Sequence, residues 1–244
     1  MTPEELIADV CPKIRDLGWA FYFTPETIAV GEQLGLDVFQ LYCLGRGGVL
    51  GDVESAVVVS AFGYFNPSTV SGLWNAAKEI LAPREAGRIY MECSANLGRS
   101  KFADIEGLDA FCAAAGALND AADPVALTLY AGISAEPLVD DTPGRAMQLV
   151  TVLREFRGSA HLLALRASGL DGKTAHFIHR PNDIAMFGWS EDDPPVITDV
   201  ERAKWQAAEA LTDQLILPAY AVLDEAGQTA LVKGINAIQV ALTG

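Results

Sequence analysis

The segment from Ala56 to Trp74, AVVVSAFGYFNPSTVSGLW, predicts two helices joined by a tight turn. Asn66 is suited to cap the second helix, and Pro67 occupies the first helical position, where no backbone N–H is needed. Val70 and Trp74 then follow at the spacing of one helix face. A helix, a tight turn and a second helix together make the helix-turn-helix plan.

A second segment with the same plan lies in the other half of the chain, from Ala160 to Ile178: AHLLALRASGLDGKTAHFI. Asp171 takes the capping position there. The acidic segment 137–143, PLVDDTP, is bracketed by prolines and marks a boundary. These features predict two pseudo-repeated helix-turn-helix (winged-helix-like) halves, residues 1–136 and 137–244, that share one core. Short helix pairs occur in any helical protein, so the plan alone does not predict DNA binding.

Capping residues followed by proline predict helix starts along the whole chain, and strand signals are thin. The five pairs are Thr2-Pro3, Thr24-Pro25, Asn66-Pro67, Asp123-Pro124 and Thr142-Pro143. Hydrophobic periodicity extends these starts into helices over about 3–17, 25–34, 37–46, 52–63, 67–81, 84–98, 103–119, 124–131, 143–156, 159–168, 172–180, 199–224 and 228–242. Phe177-Ile178 is the one candidate for a short wing-like strand. We therefore predict an all-α protein.

The composition limits the classes of partner. The chain has 17 Lys and Arg against 32 Asp and Glu, a formal net charge of -15, and no basic run. DNA is therefore an unlikely partner on electrostatic grounds. The N-terminus lacks the features of a secretory signal and no apolar run is long enough for a membrane helix, so we expect a cytoplasmic protein. The four separated cysteines favour reduced thiols.

Several stretches resemble a large actinobacterial family of mostly uncharacterised helix-turn-helix or winged-helix-like proteins. In the first half these stretches are YFTPE (22–26), GLDVFQLYCLGRGGVLG (35–51) and AFGYFNP (61–67). In the second half they are LREFRGSAHLLALRASGLDG (153–172), Gly188-Trp189 and Thr212-Asp213. The resemblance covers most of the chain in order. It implies the architecture and supplies no activity, because a fold name describes a shape.

The chain departs from that family pattern in three places. Gly18 stands near the position where the family commonly carries a histidine, and Ser159 stands where the family carries an acidic residue before His161. After Trp189 the chain runs directly into SEDDPP, where a further helix and a wing usually follow. The missing wing weakens the DNA hypothesis and predicts a more open central cleft.

The stretch from Arg154 to His161, REFRGSAH, is the densest in chemically active side chains. Arg154, Arg157 and His161 share one face if the helix continues, whereas Gly158 could end it and place His161 in a new first turn. In such a first turn the helix dipole and desolvation would lower the pKa of His161 and favour the neutral base. Arg157 is suited to clamp an anion, or else to pair with an acid across a helix interface.

A matching set in the first half consists of Tyr22, Glu26, Tyr42, Arg46, Tyr64 and Asn66. Tyr22 and Tyr64 are candidates to present hydroxyl donors into a cleft between the halves. Glu26 suits a first helical turn in any case, and Asn66 suits a helix cap. Together with Arg154, the remaining residues predict a site for the polar group of an otherwise apolar ligand.

No motif identifies a cofactor or a metal. His176 and His179 share a helix face, and His161 lies in the same unit, but the three lack a clear carboxylate or cysteine partner. A nucleophile elbow and a phosphate-binding loop are both missing. The sequence therefore leaves the cofactor unknown and predicts no metal ligand.

The function that these patterns favour is binding of a small, mainly apolar organic ligand in a cleft between the halves. Acid–base chemistry of the lyase or isomerase type is open, with His161 as base, Arg157 as anion clamp and Tyr22 or Tyr64 as donor. One alternative is a helix-turn-helix transcription regulator. Another is an acidic protein-interaction module. The late helices either pack within the chain or join two copies in a homodimer.

Overall fold

The expected all-α architecture is confirmed by a computed structural model that describes residues 1–244. It contains twelve α-helices, two short 3-10 helices at Gly48–Leu50 and Ala185–Phe187, and no β-strand. The α-helices are α1 (Pro3–Leu17), α2 (Pro25–Gln33), α3 (Val38–Gly47), α4 (Ser55–Phe62), α5 (Pro67–Lys78), α6 (Pro83–Lys101), α7 (Leu108–Ala121), α8 (Thr128–Ser134), α9 (Thr142–Ala167), α10 (Gly172–His179), α11 (Asp199–Tyr220) and α12 (Glu225–Thr243).

Three helices begin at the capping residues predicted from the sequence. Thr2 accepts a hydrogen bond from the backbone N–H of Glu5 at 3.2 Å, and Glu5 accepts one from Thr2 at 2.8 Å. Thr24 caps α2 and Asn66 caps α5 in the same way, each followed by proline. These three predicted starts are confirmed, because each cap satisfies a backbone N–H that the first helical turn leaves free.

Two predicted starts were placed wrongly. Asp123 accepts a hydrogen bond from the backbone of Val125, two residues on, and so forms a turn; α8 begins only at Thr128. Ala126 lies in this turn with φ +63°, which no helix allows. At the start of α9 the cap is Asp141, whose carboxylate accepts from the N–H of Gly144, one residue before the expected Thr142.

Helix α9 is the central element of the fold. It packs against α1, α6, α7, α8, α10 and α11. Every residue from Ala146 to Leu153 is buried, as expected for a helix that meets neighbours on all sides. The break expected at Gly158 is wrong: α9 continues through it, since the cost of one helical glycine, about 1 kcal/mol, is small beside this burial.

One apolar core runs through both halves of the chain. A cluster of 50 buried residues begins at Leu6 in α1 and ends at Ile238 in α12. A small second cluster lies around α10 and includes Leu165 and Leu170. Both late helices pack within the chain, α11 on α9 and α12 on α7 and α1. The division at residues 136 and 137 and a homodimer stay predictions. No helix combines the length and the apolar character that crossing a membrane requires.

The two helix-turn-helix units meet at their turns. The first unit is α4, a turn at Gly63 (φ +56°) and α5; the second is the end of α9, a turn at Gly169 (φ +70°) and α10. A Cβ atom at Gly172 would lie only 1.9 Å from the carbonyl oxygen of Gly63, so α10 begins directly against the first turn. Phe177 belongs to α10, and the expected wing-like strand is absent.

The segment between α10 and α11 covers the place where the units meet. The backbone N–H of Asn66 donates to the Phe187 carbonyl at 2.9 Å, and the Asn66 amide donates to the Gly188 carbonyl at 3.0 Å. The indole N–H of Trp189 donates to the Tyr64 carbonyl at 2.8 Å. The covering segment is therefore fixed to the first turn by three hydrogen bonds.

Candidate functional site

A cavity of about 140 Å³ lies between the two units, with α9 along one side. Its volume is close to the roughly 150 Å³ that holds a benzene molecule in an engineered protein cavity. Its wall contains an unusual number of cations for so acidic a chain, namely Arg15, Arg46, Arg154, Arg157 and Arg180. Aromatic rings complete the wall. A concave site with apolar walls and convergent polar groups is the usual form of a small-molecule site.

Helix α9 supplies seven residues to the cavity wall. Arg154, Arg157, Gly158 and His161 all line it, because the uninterrupted helix places residues at these spacings on one face. A Cβ atom at Gly158 would have only the Glu155 carboxylate near it, at 3.9 Å. The glycine therefore leaves open space in the middle of the cavity wall.

A buried carboxylate joins α9 to α3. Arg46 donates through Nε to Oε1 of Glu155 at 2.9 Å and through Nη2 to Oε2 at 2.8 Å. Arg154 Nη1 donates to the same Oε1 at 2.6 Å, and the Tyr22 hydroxyl adds a bond at 3.1 Å. Two guanidinium groups thus share one carboxylate inside the protein.

This cluster carries one positive charge in excess. Burial disfavours ionisation of Glu155, but Arg46 and Arg154 outweigh that effect and lower the pKa of its carboxyl to about 2. Glu155 is therefore a permanent anion at physiological pH. The cluster then holds two cations and one anion, beside a cavity and largely shielded from water.

Two buried nitrogen atoms near the cavity have no hydrogen-bond partner. They are Nε of Arg154 and Nε2 of His176. His176 is only 2% exposed and lines the cavity, with its ring 4.0 Å from that of Phe187. Buried polar atoms are nearly always hydrogen-bonded, so these two nitrogen atoms are exceptions in residues that line the cavity.

The opposite end of the cavity holds a histidine between Thr212 and Glu209. The Thr212 hydroxyl donates to the Ala208 carbonyl at 2.6 Å, so it can only accept from Nδ1 of His161, 2.8 Å away. This arrangement assigns the proton of neutral His161 to Nδ1 and leaves Nε2 free to accept one. Nε2 lies 3.3 Å from Glu209, which would stabilise the ring once protonated.

Burial keeps the cavity histidines neutral. It lowers the pKa of His161 from 6.5 to about 4, with Glu209 acting in the opposite direction. Burial likewise lowers the pKa of His176 to about 4. A neutral imidazole with a free Nε2 is the form that a general base requires.

Arg157 is already paired. Its Nη2 donates to Glu209 at 2.7 Å and lies 3.5 Å from a carboxylate oxygen of Asp213. Of the two roles that the sequence leaves open, the geometry favours pairing with an acid across the α9–α11 interface. An anion could reach this guanidinium only in competition with two carboxylates.

Most of the residues proposed from the sequence lie together. Tyr42, Arg46, Tyr64, Arg154, Arg157 and His161 all line the cavity. The ring of Tyr64 stacks on that of His161 with centroids 6.3 Å apart. Tyr22 lies behind this wall, where its hydroxyl donates to Glu155 and accepts from Arg154. Tyr22 is therefore engaged within the cluster, and Tyr64 is the better-placed hydroxyl.

Besides Tyr22, two further proposed residues lie outside the cavity wall. Glu26 is exposed in the first turn of α2. Asn66 caps α5 and holds the covering segment at Phe187 and Gly188. Neither side chain lines the cavity, so we leave both out of the candidate site.

Sequence reasoning missed Glu155, His176 and Glu209 as site residues. Glu155 lies between Arg154 and Arg157, which were identified from the sequence. Nothing in the local sequence indicates that Glu155 contacts Arg46, 109 positions away. Glu209 lies three residues before Thr212 in α11, and the resemblance had already singled out Thr212-Asp213. No three His, Cys, Asp or Glu side chains converge as a metal site.

The second helices of the two helix-turn-helix units carry few cations. In α10 the residues from Thr174 to Phe177 are buried. Helix α5 does expose a face, formed by Ser68, Gly72, Asn75 and Ala76, but it carries no cation, and Lys78 pairs with Asp52 at 3.2 Å. The lysine of α10, Lys173, pairs with Asp193 at 2.7 Å.

Comparison with known proteins gives one result. A family model described as a helix-turn-helix family matches residues 10–243 of the chain. No curated protein and no solved structure matches it. The match agrees with the resemblance noted in the sequence at the level of the helix-turn-helix family; the winged form and the actinobacterial origin stay expectations.

Proposed function

Because the chain belongs to the helix-turn-helix family that it matches over residues 10–243, we propose that this family architecture here encloses a small-molecule site. The observation that carries the proposal is the cavity between the two turns, with five arginines in the wall of a protein whose net charge is -15. Three of these arginines, Arg46, Arg154 and Arg157, are mostly buried, and a surface interaction module has no need for such cations around an open space. A cavity of this kind is the form that recognition of a small organic molecule takes.

The arrangement of groups also supports acid–base chemistry on the bound molecule. His161 would serve as base through Nε2, held in that tautomer by Thr212. Glu209 would stabilise the protonated ring. Tyr64, stacked on His161, would supply a hydroxyl donor. Such a set suits proton abstraction or isomerisation without a cofactor.

The decisive experiment fills the cavity without disturbing the fold. Gly158→Leu places a side chain in the open space beside Glu155. The matched control is Gly72→Leu, since Gly72 also lies inside a helix and a Cβ atom there meets nothing within 4 Å. Both changes replace a helical glycine, so both should leave the protein folded, as measured by circular dichroism.

The readout is native mass spectrometry of each protein as purified, with a thermal-shift screen of small organic molecules. We expect wild type and Gly72→Leu to carry a bound mass or to be stabilised by the same molecules, and Gly158→Leu to lose both. Equal behaviour of Gly158→Leu and wild type would reject the cavity as the site. If wild type carries no bound mass and no molecule in the screen stabilises it, the acidic interaction module would be the better hypothesis.

Family membership favours one other function, a DNA-binding regulator. It predicts binding to duplex DNA that weakens steeply between about 50 and 200 mM salt. Fluorescence anisotropy with a labelled duplex of mixed sequence measures this directly. We expect no saturable binding, since the lysines of these helices, Lys78 in α5 and Lys173 in α10, are paired with Asp52 and Asp193. Binding with a steep salt dependence would restore the regulator hypothesis.

A further inference from the structure

We infer that the cavity selects an organic monoanion, a carboxylate on a flat apolar body, and that Arg154 binds the carboxylate group. This inference rests on the proposed function and specifies the class of its ligand. It follows from the charge balance at the two ends of the cavity, the hydrogen-bonding capacity that remains unused there, and the shape of the walls.

The charge balance separates the two ends. Around Glu155 there are two guanidinium groups and one carboxylate, an excess of one positive charge. Around Arg157 there are one guanidinium group and two carboxylates, those of Glu209 and Asp213. A buried charge without a partner is unfavourable, so the first end attracts one negative charge and the second repels it.

Unused donors identify the arginine that binds. All three nitrogen atoms of Arg46 already donate, Nε and Nη2 to Glu155 and Nη1 to the Tyr42 hydroxyl at 3.2 Å. Arg154 donates only through Nη1, and its Nε is without a partner. A guanidinium group offers five N–H donors, so Arg154 keeps several for an incoming carboxylate.

Packing against Gly18 and Tyr22 holds the Arg154 side chain in this position. Its side chain packs over Gly18, where a Cβ atom would lie 2.6 Å from Arg154 Cβ and 2.8 Å from its Cδ. Its guanidinium carbon lies 5.4 Å from the centroid of the Tyr22 ring. The donor group is therefore fixed before any ligand arrives, which reduces the entropy lost on binding.

Aromatic walls give the rest of the ligand its form. Phe65 and Phe187 stack at 4.2 Å, and Phe187 also faces His176. Trp205 and Tyr64 line the other parts of the cavity. Ring faces favour flat apolar groups, and the volume of about 140 Å³ limits them to about the size of one six-membered ring.

The distance between the ends fixes the orientation. Arg154 and His161 are seven residues apart on α9, which corresponds to about 10 Å along the helix axis. A ligand with its carboxylate at Arg154 would direct its ring or the substituent opposite towards Nε2 of His161. The base would then act on the end of the molecule remote from the carboxylate.

The test compares carboxylates with their neutral amides on the wild-type protein. Benzoate, phenylacetate and hexanoate are titrated beside benzamide, phenylacetamide and hexanamide, with benzylammonium as the cation. Thermal shift and isothermal titration calorimetry supply the readouts. We expect stabilisation by at least one carboxylate, at least tenfold weaker binding of its amide, and none by benzylammonium.

Variants then locate the contact. Arg154→Gln leaves the Arg46–Glu155 pair as one cation and one anion, and it should lower carboxylate affinity at least tenfold. Arg166→Gln is the matched control, because Arg166 lies on the same helix, is exposed and lines no part of the cavity; it should bind as wild type does.

The possible outcomes distinguish failure of the anion inference from failure of the proposed function. Equal binding of carboxylates and amides, with loss in Gly158→Leu, would retain the small-molecule site and overturn the anion inference. Carboxylate binding that survives Arg154→Gln would overturn the assignment to Arg154. If no carboxylate binds while Gly158→Leu removes a neutral copurified molecule, the inference fails and the proposed function stands. If no small molecule binds at all, both fail. Should Arg154→Gln not fold, the comparison of carboxylate with amide on the wild type still decides.

Discussion

Glu155 is the residue on which the interior charge depends. It is 1% exposed, and its carboxylate accepts four hydrogen bonds, two from Arg46, one from Arg154 and one from Tyr22. Because both guanidinium groups depend on it, its role differs from that of either arginine. Loss of the carboxylate leaves two buried cations without an anion, whereas loss of one arginine leaves a neutral pair.

Glu155→Gln should therefore destabilise the protein by about 3–5 kcal/mol, the usual cost of breaking a buried ion pair by removing one partner. Arg154→Gln should cost less than half as much. Urea unfolding followed by circular dichroism compares the two variants with wild type. Equal losses would show that packing of the side chains matters here more than their charges.

The buried histidines make stability depend on pH. Their pKa values in the folded protein are lowered from 6.5 to about 4 for His161 and His176. The unfolded chain therefore binds protons in this window and the folded chain does not. Their contribution to the free energy of unfolding is complete above about pH 6.5. It is lost as the pH falls towards 4, by up to about 3 kcal/mol per histidine.

Urea unfolding at about pH 7 and about pH 5 measures this effect. Glu155 titrates in a lower window, between its ordinary value of 4.5 and about 2, so the two contributions separate. The His161→Gln, His176→Gln double variant should show a flatter profile between pH 7 and 5. A wild-type profile that is already flat there would mean that these rings are hydrated.

At the scale of elements, the meeting of the two turns positions the site. Helix α10 begins against Gly63, and the covering segment is bound to the same turn through Asn66 and Trp189. In this arrangement Tyr64 stacks on His161 and Phe65 stacks on Phe187, whose ring also meets that of His176. At this contact the backbone of α10 at Gly172 lies directly against the backbone of Gly63, with no room for a side chain between them. The cavity lies beside this contact.

Gly172→Ala tests this contact. Its Cβ atom would lie 1.9 Å from the Gly63 carbonyl oxygen, a backbone atom that cannot rotate away. We expect a loss of roughly 1–3 kcal/mol, as for overpacked cores. Gly116→Ala in α7 is the control, since a Cβ atom there meets nothing within 4 Å. It should gain about 0.5–1 kcal/mol from helix propensity, and equal behaviour of the two variants would contradict the contact.

At the scale of the whole molecule, charge and core have separate effects. The chain has a net charge of -15, yet five of its arginines lie around one cavity. The apolar core is continuous from α1 to α12 and passes through α9, which contacts both halves. Any separation of the halves would expose that core.

We therefore expect the chain to unfold in one transition. Tryptophan fluorescence and far-ultraviolet circular dichroism should give the same urea midpoint, because a shared core makes unfolding cooperative. Residues 1–136 expressed alone should not give a cooperative transition. Two separate midpoints, or a stable isolated half, would show instead that the predicted halves are independent domains.

The sequence alone determined the helical class and the helix starts whose cause is local. Thr2, Thr24 and Asn66 cap their helices because a side-chain oxygen lies within three residues of the N–H that it satisfies. The spacing of Arg154, Arg157 and His161 gave them a common face only on the condition that the helix continues through Gly158, and the sequence predicted a break there. The local rule failed at Asp123-Pro124, where an equally local turn competes for the same side chain.

Tertiary structure alone decided which charges meet. Arg46 and Glu155 are 109 residues apart, and the His161–Thr212 contact spans 51 residues. No periodicity encodes such pairs, because they depend on how α3 and α11 pack against α9. The same packing decided that Gly158 continues a helix and opens a cavity, since burial along α9 outweighs the helix preference of one residue.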